Sequence, residues 1–204
     1  MDISVGIPVF NCATTIKATL DRLTFMRIPN LRVICYDNGS LDGSMGLLSE
    51  LVGRKYYQMQ KDQDSCTLNL SCFQGQHYNQ HKHENILLTR QKIGELVQTE
   101  YVFFMDSDII LPANALQLLL EEFKKTNAMF MGIKYEPKHS DMHVMFGATI
   151  WKTADFRQLP VQDFDARKSC DCKFATDWAR AQGRPAEHHP WLMAQHWFYH
   201  KSFI

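Results

Sequence analysis

The feature that most restricts the fold of this chain is the alternation of apolar runs with segments of helical periodicity. Runs typical of strands are ISVGIPV, LRVICYD and YVFFMDSD, and the segments between them that carry apolar residues at helical spacing are TTIKATLDRL, MGLLSELVG and NILLTRQKIGELVQT. Strands that alternate with helices predict an α/β fold, with a mostly parallel sheet covered by helices. We therefore expect a single Rossmann-like central sheet in one domain, a size that 204 residues suit.

The later segments follow the same rules less regularly. PANALQLLLEEFKK is predicted to be a helix with Pro112 in its first turn, and AMFMGIKY and HVMFGATIW are predicted strands. KYYQMQ is predicted to be a short third strand. Residues 61–84 are polar and show little periodicity, so a long loop is expected there.

The stretch YVFFMDSDIILP places two acids, Asp106 and Asp108, at the end of the most hydrophobic strand. Desolvating a carboxylate is costly unless a cation, a basic side chain or water compensates it. A D-x-D pair at a strand end suits Mg²⁺ or Mn²⁺, which bind one or two carboxylates together with substrate phosphates. The alternative is that Asp106 caps a turn and Asp108 caps the helix that follows.

Polar residues follow the first, second and fourth predicted strands at the point where each ends. They are Asn11, the acid of YDNGS and the acids of MDSD. Parallel sheets bind ligands at the carboxyl ends of their strands, so these groups are expected to face one crevice. Asn38 and Gly39 suit a tight turn, whereas Asp37 is not required by a turn and could accept a hydrogen bond from a ligand.

Bulk properties exclude several classes of function. The formal net charge is zero, which argues against nucleic-acid or membrane-surface binding by bulk charge. The sequence shows no signal-peptide pattern and no apolar run of about 20 residues, so a cytoplasmic location is expected. The six cysteines are then expected to be mostly reduced thiols.

Four motifs, ISVGIPVFN, YDNGSLDGS, TRQKIGE…TEYVFFMDSDIILP and FGATIW, stand in the order and at about the spacing seen in family 2 glycosyltransferases. The chain resembles a GT-A fold enzyme of that family, well over residues 2–125 and loosely over residues 143–183. The resemblance implies sugar transfer from a UDP- or GDP-sugar to a glycan, protein or lipid acceptor, usually with inversion. It assigns residues 1–125 to nucleotide-sugar binding and residues 126–204 to acceptor binding.

The resemblance also implies roles for single residues. Asp37 matches the acid that reads the base, and Arg90 falls where the family's arginine contacts the nucleotide region, although Gln91 replaces the usual asparagine. Asp106 and Asp108 match the D-x-D, with Asp108 the more direct ligand of Mn²⁺ or Mg²⁺ and Asp106 nearer the ribose or second shell. Residues that match the segment lining the nucleotide pocket are Pro8, Val9 and Asn11.

The general base is harder to place from the resemblance. The family keeps it in an ED motif that is missing from the corresponding stretch FDARKSCDCKFATDWARAQG. Counting from Gly183 favours Asp171, with Asp177 as the alternative. Gly147 of FGATIW matches a glycine beside the acceptor site. In some GT-A enzymes a histidine completes the metal shell; the candidates here are His188, His189 and His196, with surface or packing roles as the alternative.

Two other functions compete with a metal-dependent glycosyltransferase. A sugar nucleotidyltransferase uses a related sheet, but the loop IPVFNCATTIK lacks the glycines that hold a triphosphate in those enzymes. A degenerate member that binds a nucleotide or glycan without turnover is the non-enzymatic alternative. The chain is short for the family, so the acceptor site is expected to be open or completed by a partner chain, for example in a homodimer.

Overall fold

The computed structural model describes residues 1–26, 28–53, 68–75, 81–136 and 144–196. Eight strands, six α-helices and one short 3-10 helix occur in these residues. Their bounds in chain order are β1 Ile3–Val9, α1 Ile16–Thr24, β2 Leu31–Asp37, α2 Ser44–Gly53, β3 Leu68–Gln74, α3 Lys82–Leu96, β4 Tyr101–Met105, β5 Ile109–Ile110, α4 Ala115–Phe123, β6 Phe130–Glu136, β7 Ala148–Lys152, α5 Thr153–Phe156, the 3-10 helix Val161–Asp163, α6 Asp171–Ala181 and β8 Ala186–His196.

The strands form one sheet in the order β3-β2-β1-β4-β7-β6-β8-β5. The pairs β3–β2, β2–β1 and β1–β4 are parallel, and so is β6–β8. β7 runs antiparallel to both β4 and β6, and β5 runs antiparallel to β8. The mostly parallel sheet predicted from the alternation of strands and helices is confirmed. β1 lies between β2 and β4, and polar residues follow all three strands.

Helices cover both faces of the sheet. Successive residues of a strand point to opposite faces, so each strand contributes side chains to both hydrophobic cores. In β4, Phe103 belongs to the core under α1, α2 and α4, whereas Phe104 belongs to the core under α3, α5 and α6. Both side chains are fully buried. α3 and α6 therefore lie on the same face of the sheet and contact each other.

The expectation of a long loop over residues 61–84 is wrong for residues 68–74 and 82–84. β3 occupies Leu68–Gln74 and α3 begins at Lys82. β3 is an edge strand in which Leu68 and Leu70 are buried and the intervening Asn69 is exposed. Because its exposed face is polar, the segment lacks the continuous apolar run from which the other strands were predicted. The strand predicted for KYYQMQ lies outside the described residues.

The C-terminal strand β8 was not predicted, and Pro190 near its centre is the reason. The register between β6 and β8 shifts between Gly132 and Lys134, which marks a bulge opposite residues 188–193. Proline is tolerated in a sheet at such bulges because no ladder hydrogen bond is lost there. β7 also begins later than predicted, at Ala148.

Two further properties bear on the sequence predictions. None of the helices in the described ranges is long and apolar enough to cross a membrane. The described cysteines form no disulfide bonds; they are Cys12, Cys35, Cys72, Cys170 and Cys172.

Gly6 allows α3 to lie close against β1. A Cβ atom at this position would stand 2.5 Å from Ile93 Cγ2, and Ile93 is a fully buried residue of α3. We expect Gly6→Ala to lower the free energy of unfolding by about 1–3 kcal/mol, measured by urea denaturation, because the core is overpacked. Gly46→Ala is the matched control, since nothing lies within 4 Å of its Cβ. Equal stability of the two variants would contradict this account.

Candidate active site

A cavity of about 620 Å³ opens at the carboxyl ends of β1, β2 and β4, beside the first turns of α3. The predicted meeting of polar strand ends in one crevice holds for Asn11, Asp106 and Asp108, which all line this cavity, but not for Asp37. The residues that line it are Pro8, Val9, Phe10, Asn11, Cys12, Thr14, Thr15, Asn38, Lys82, Asn85, Ile86, Thr89, Asp106, Ser107 and Asp108.

The loop after β1 forms one wall of this cavity, and a short network of hydrogen bonds fixes it. Asn11 has a positive φ of 48° and accepts a hydrogen bond from the Leu41 amide through Oδ1, at 2.9 Å. Its own amide donates to Ser40 Oγ over 2.9 Å. Pro8, Val9 and Asn11 all line the cavity, and their contact with a nucleotide stays a prediction.

The carboxylate of Asp37 is engaged by the turn that follows β2. Its Oδ2 accepts hydrogen bonds from the amides of Gly39 and Ser40, each at 3.1 Å, and its Oδ1 accepts one from Ser40 Oγ. The expectation that the turn does not require Asp37 is therefore wrong. The side chain is fully buried and does not line the cavity, so its role in reading a base stays a prediction.

Asn38, the next residue, was not singled out from the sequence. It lines the cavity and is 6% exposed, yet its Oδ1 has no hydrogen-bond partner. A buried acceptor without a partner costs about 1–3 kcal/mol, so it marks a place where a ligand donor can bind. No sequence signal marks this role, because Asn-Gly is common in turns.

Asp106 and Asp108 line the cavity on the β4 side. The amide of Asp106 donates to the carbonyl of Gly147 over 2.9 Å, and its carbonyl accepts from the Ile109 amide at 3.2 Å. The segment between β4 and β5 is thus held at both ends. Gly147, predicted to lie beside the acceptor site, is buried behind Asp106, and a direct contact with an acceptor stays a prediction.

Arg90 lies between the D-x-D and α6, and its side chain is only 1% exposed. Nη2 donates to Asp106 Oδ1 and Nη1 donates to Asp171 Oδ2, each over 2.6 Å. Its guanidinium also lies over the ring of Phe146, 4.9 Å from the centroid. Burial acts to lower the pKa of Arg90, but the two carboxylates outweigh it and raise that pKa, so the group stays a cation.

Asp171 begins α6 and is almost completely buried. One carboxylate oxygen is bound by Arg90, and the other lies 2.9 Å from Nδ1 of His83. Burial acts to raise the pKa of Asp171, but the hydrogen bond from His83 and the charge of Arg90 outweigh it and lower that pKa. The same hydrogen bond raises the pKa of His83.

Three other candidates from the sequence, Asp177, His188 and His189, do not line the cavity. Asp177 lies on the exposed face of α6, where it pairs with Lys173 and, at 3.6 Å, with Arg180. His189 uses Nδ1 to accept the amides of Trp191 and Leu192, which stabilises the bulge in β8. His188 pairs with Gly132 in the sheet, whereas His196 pairs with Ile109, the residue after Asp108.

A divalent cation fits the two acids only with further ligands. No group of three or more histidine, cysteine or acidic side chains that could hold a metal ion occurs in the described ranges. Mg²⁺ and Mn²⁺ bind through oxygen, and Mg²⁺ often takes just one or two protein carboxylates together with waters and substrate phosphates. Asp106 and Asp108 therefore suit a cation that arrives with a diphosphate.

Residues 4–67 match the model of Glycosyl transferase family 2. The structure is similar to S. aureus TarS 1-349 in complex with UDP-GlcNAc, with a TM-score of 0.65 and 17% identity, covering 96% of this chain and 58% of that one. It is also similar to the mannosyltransferase PcManGT from Pyrobaculum calidifontis in complex with GDP-Man and Mn²⁺, with a TM-score of 0.72 and 16% identity, covering 96% and 56%.

The chain has the GT-A glycosyltransferase fold. The fold class predicted from the sequence is confirmed, and the predicted resemblance to family 2 glycosyltransferases is confirmed over the matched segment. The chain spans less than two thirds of the length of these two glycosyltransferases. No curated protein sequence matches it significantly.

Proposed function

We propose that the chain is a glycosyltransferase that binds a nucleotide-diphosphate sugar in this cavity and moves the sugar to an acceptor hydroxyl. The observation that carries the proposal is that Asn38, whose buried Oδ1 has no hydrogen-bond partner, lines the same cavity as Asp106 and Asp108. The first can accept a donor from a base or ribose, and the second can hold a cation against a diphosphate. UDP-GlcNAc in TarS and GDP-Man with Mn²⁺ in PcManGT are donors of the matching chemical class.

The proposed cation, Mn²⁺ or Mg²⁺, would be held by Asp108 and by the oxygen of Asp106 that Arg90 does not bind. When bound, it neutralises the diphosphate and stabilises the charge that develops on the leaving group. Lys82 lines the same cavity, so its ammonium group can add to that charge compensation. Arg90 keeps Asp106 oriented by a partly buried ion pair, and Thr14 offers a hydroxyl group to the donor.

We assign donor binding to residues 1–125 and acceptor binding to residues 126–204. All residues that line the cavity fall between positions 8 and 108. Asp171 is the carboxylate that we assign to the site of sugar transfer in this proposal. The guanidinium group of Arg90 binds both Asp171, on α6, and Asp106. Asp177 is less suited, since it lies in surface ion pairs. A single base and a direct displacement give an inverting reaction.

A protein that binds a nucleotide without turnover is the second candidate. The engagement of both oxygens of Asp171 favours it, because that carboxylate is then a weak base. The two functions are distinguished by the release of UDP from UDP-GlcNAc and of GDP from GDP-mannose in the presence of Mn²⁺. Transfer requires release above the rate without protein, whereas a binding protein retains the nucleotide affinity and shows no release.

Asn38→Ala is expected to weaken UDP or GDP binding about 3- to 10-fold, because one buried hydrogen bond of about 0.5–1.5 kcal/mol is lost. Isothermal titration of each nucleotide with Mn²⁺ measures this change. Asn127→Ala is the matched control, since Asn127 is exposed and lies outside the cavity. Unchanged affinity in Asn38→Ala would remove the donor site from this end of the cavity.

A further inference from the structure

The buried carboxylate of Asp171 has no oxygen left for a substrate. Arg90 Nη1 binds Oδ2 at 2.6 Å, and His83 Nδ1 lies 2.9 Å from Oδ1. The side chain of Asp171 is 5% exposed, whereas that of His83 is 45% exposed. Of the two groups in this hydrogen-bonded pair, His83 is therefore the one that an acceptor hydroxyl can reach.

His83 lies on the helix that forms one wall of the proposed donor site. It belongs to the first turn of α3, whose residues Lys82, Asn85 and Ile86 line the cavity, while its own ring contacts Asp171 of α6 and does not line the cavity. Asp171 and Arg90 connect His83 to Asp106, which lines the cavity. The contacts run from His83 to Asp171, from Asp171 to Arg90, and from Arg90 to Asp106 directly after β4.

A carboxylate that accepts the Nδ1–H of a histidine fixes the tautomer of the ring and leaves Nε2 as the basic nitrogen. The same carboxylate stabilises the imidazolium that forms when Nε2 takes a proton. Arg90 holds Asp171 as an anion, so the proton stays on the histidine and does not pass to the carboxylate. The arrangement suits general-base catalysis by the imidazole.

We infer that His83 Nε2 accepts the proton of the acceptor hydroxyl and that Asp171 acts as its positioning residue. This inference rests on the proposed glycosyltransferase function. The acceptor oxygen forms a bond to the anomeric carbon as its proton passes to Nε2. The bond from that carbon to the diphosphate oxygen breaks, and its electron pair leaves with the nucleoside diphosphate. His83 then returns the proton to water.

The charged and titratable groups near His83 determine the pH at which it is a base. Asp171 and Cys170 of α6 face it, together with Lys82 on its own helix. The hydrogen bond from Asp171 raises the pKa of His83 above 6.5, against the effects of burial and Lys82. Transfer requires the neutral ring, so turnover is expected to increase as the pH rises through this elevated pKa.

The first test is the ¹⁵N NMR titration of the histidine-labelled full chain, with the signals of His83 assigned from His83→Gln. We expect the neutral ring to carry its proton on Nδ1, with a pKa above 6.5. This readout does not depend on turnover. A neutral ring with its proton on Nε2 would overturn the inference and leave the proposed function standing.

The second test is the release of nucleotide from UDP-GlcNAc and GDP-mannose with Mn²⁺, measured from pH 5 to pH 9. His83→Gln is expected to lower kcat about 10²- to 10⁴-fold, the usual contribution of a general base, and to remove the acid limb of the profile. Binding of UDP and GDP by calorimetry is expected to stay unchanged. His81→Gln is the matched control, because that exposed side chain makes no capping hydrogen bond to α3.

The outcomes separate the inference from the function on which it rests. Full turnover in His83→Gln, or loss of turnover in Asp177→Asn, would assign the proton elsewhere while the chain remains a glycosyltransferase. If the wild-type chain binds neither nucleotide and releases none, the proposed function fails and the inference fails with it. Loss of kcat with intact nucleotide binding in His83→Gln supports both.

Discussion

Replacing Asp108 by asparagine is expected to abolish the Mn²⁺ dependence of nucleotide binding and to lower sugar transfer at least about a hundredfold, since even residues that only support metal ligands contribute 10- to 100-fold. The substitution keeps the size of the side chain and removes its charge. Calorimetry of UDP and GDP with and without Mn²⁺ measures the first effect, and nucleotide release measures the second.

Asp108 is a cleaner test of the cation than Asp106. Asp106 also binds Arg90 in a partly buried ion pair, so its replacement changes the stability of the fold as well as the site. Asp163→Asn is the matched control, because Asp163 is exposed and lies outside the cavity. If Asp108→Asn keeps a Mn²⁺ dependence equal to that of the wild type, the D-x-D is a turn and cap segment and the cation reading is wrong.

Arg90→Met is expected to lower the free energy of unfolding by about 3–5 kcal/mol, because removing one partner of a buried ion pair leaves a desolvated charge. Asp171 would keep its contacts with His83 and, at 3.7 Å, with the thiol of Cys172. The guanidinium group also packs on the ring of Phe146, and methionine retains much of that apolar contact. Urea denaturation at pH 7 measures the loss.

A double variant separates the unpaired charge from the lost packing. If the charge is the cause, Arg90→Met with Asp171→Asn should be more stable than Arg90→Met alone, by the logic of a double-mutant cycle.

The pH dependence of stability tests the same cause. The lowered pKa of Asp171 stabilises the wild type above its unfolded value of about 3.9, and this contribution is lost as the pH falls through the folded value. The wild type and Arg90→Met should therefore become more similar in free energy of unfolding as the pH falls. A difference that does not change with pH would indicate that lost packing is the cause.

Local signals were sufficient to predict the neighbouring parallel strands β1, β2 and β4. Strands β1, β2 and β4 were predicted from apolar runs, whereas their order as neighbours in the sheet comes from the structure. β3 and β8 were missed because one is half-exposed and the other contains Pro190 in a bulge. In both strands the tertiary environment outweighs the local pattern.

The place of the cavity was predicted where it depends on strand ends, and contacts between residues distant in sequence were missed. Asp106 and Asp108 could be found from their place after a hydrophobic strand. The contact of Arg90 with Asp171 joins residues 81 positions apart, and no periodicity reports such a pair. His83 was overlooked because its segment was read as a loop, although α3 begins one residue before it.

The pairing of β5 with β8 has a consequence for the order in which the protein assembles. Ile109 and Ile110, directly after the acids, pair with His196 and Gln195 at the far end of the described chain. Domains begin to fold from the N-terminus as the ribosome delivers the chain, at about 5–20 residues per second. Most of the sheet can therefore form on the ribosome before this last pairing does, and a nascent chain can carry the paired strands β1, β2, β3 and β4 while the segment of the two acids still awaits its neighbour.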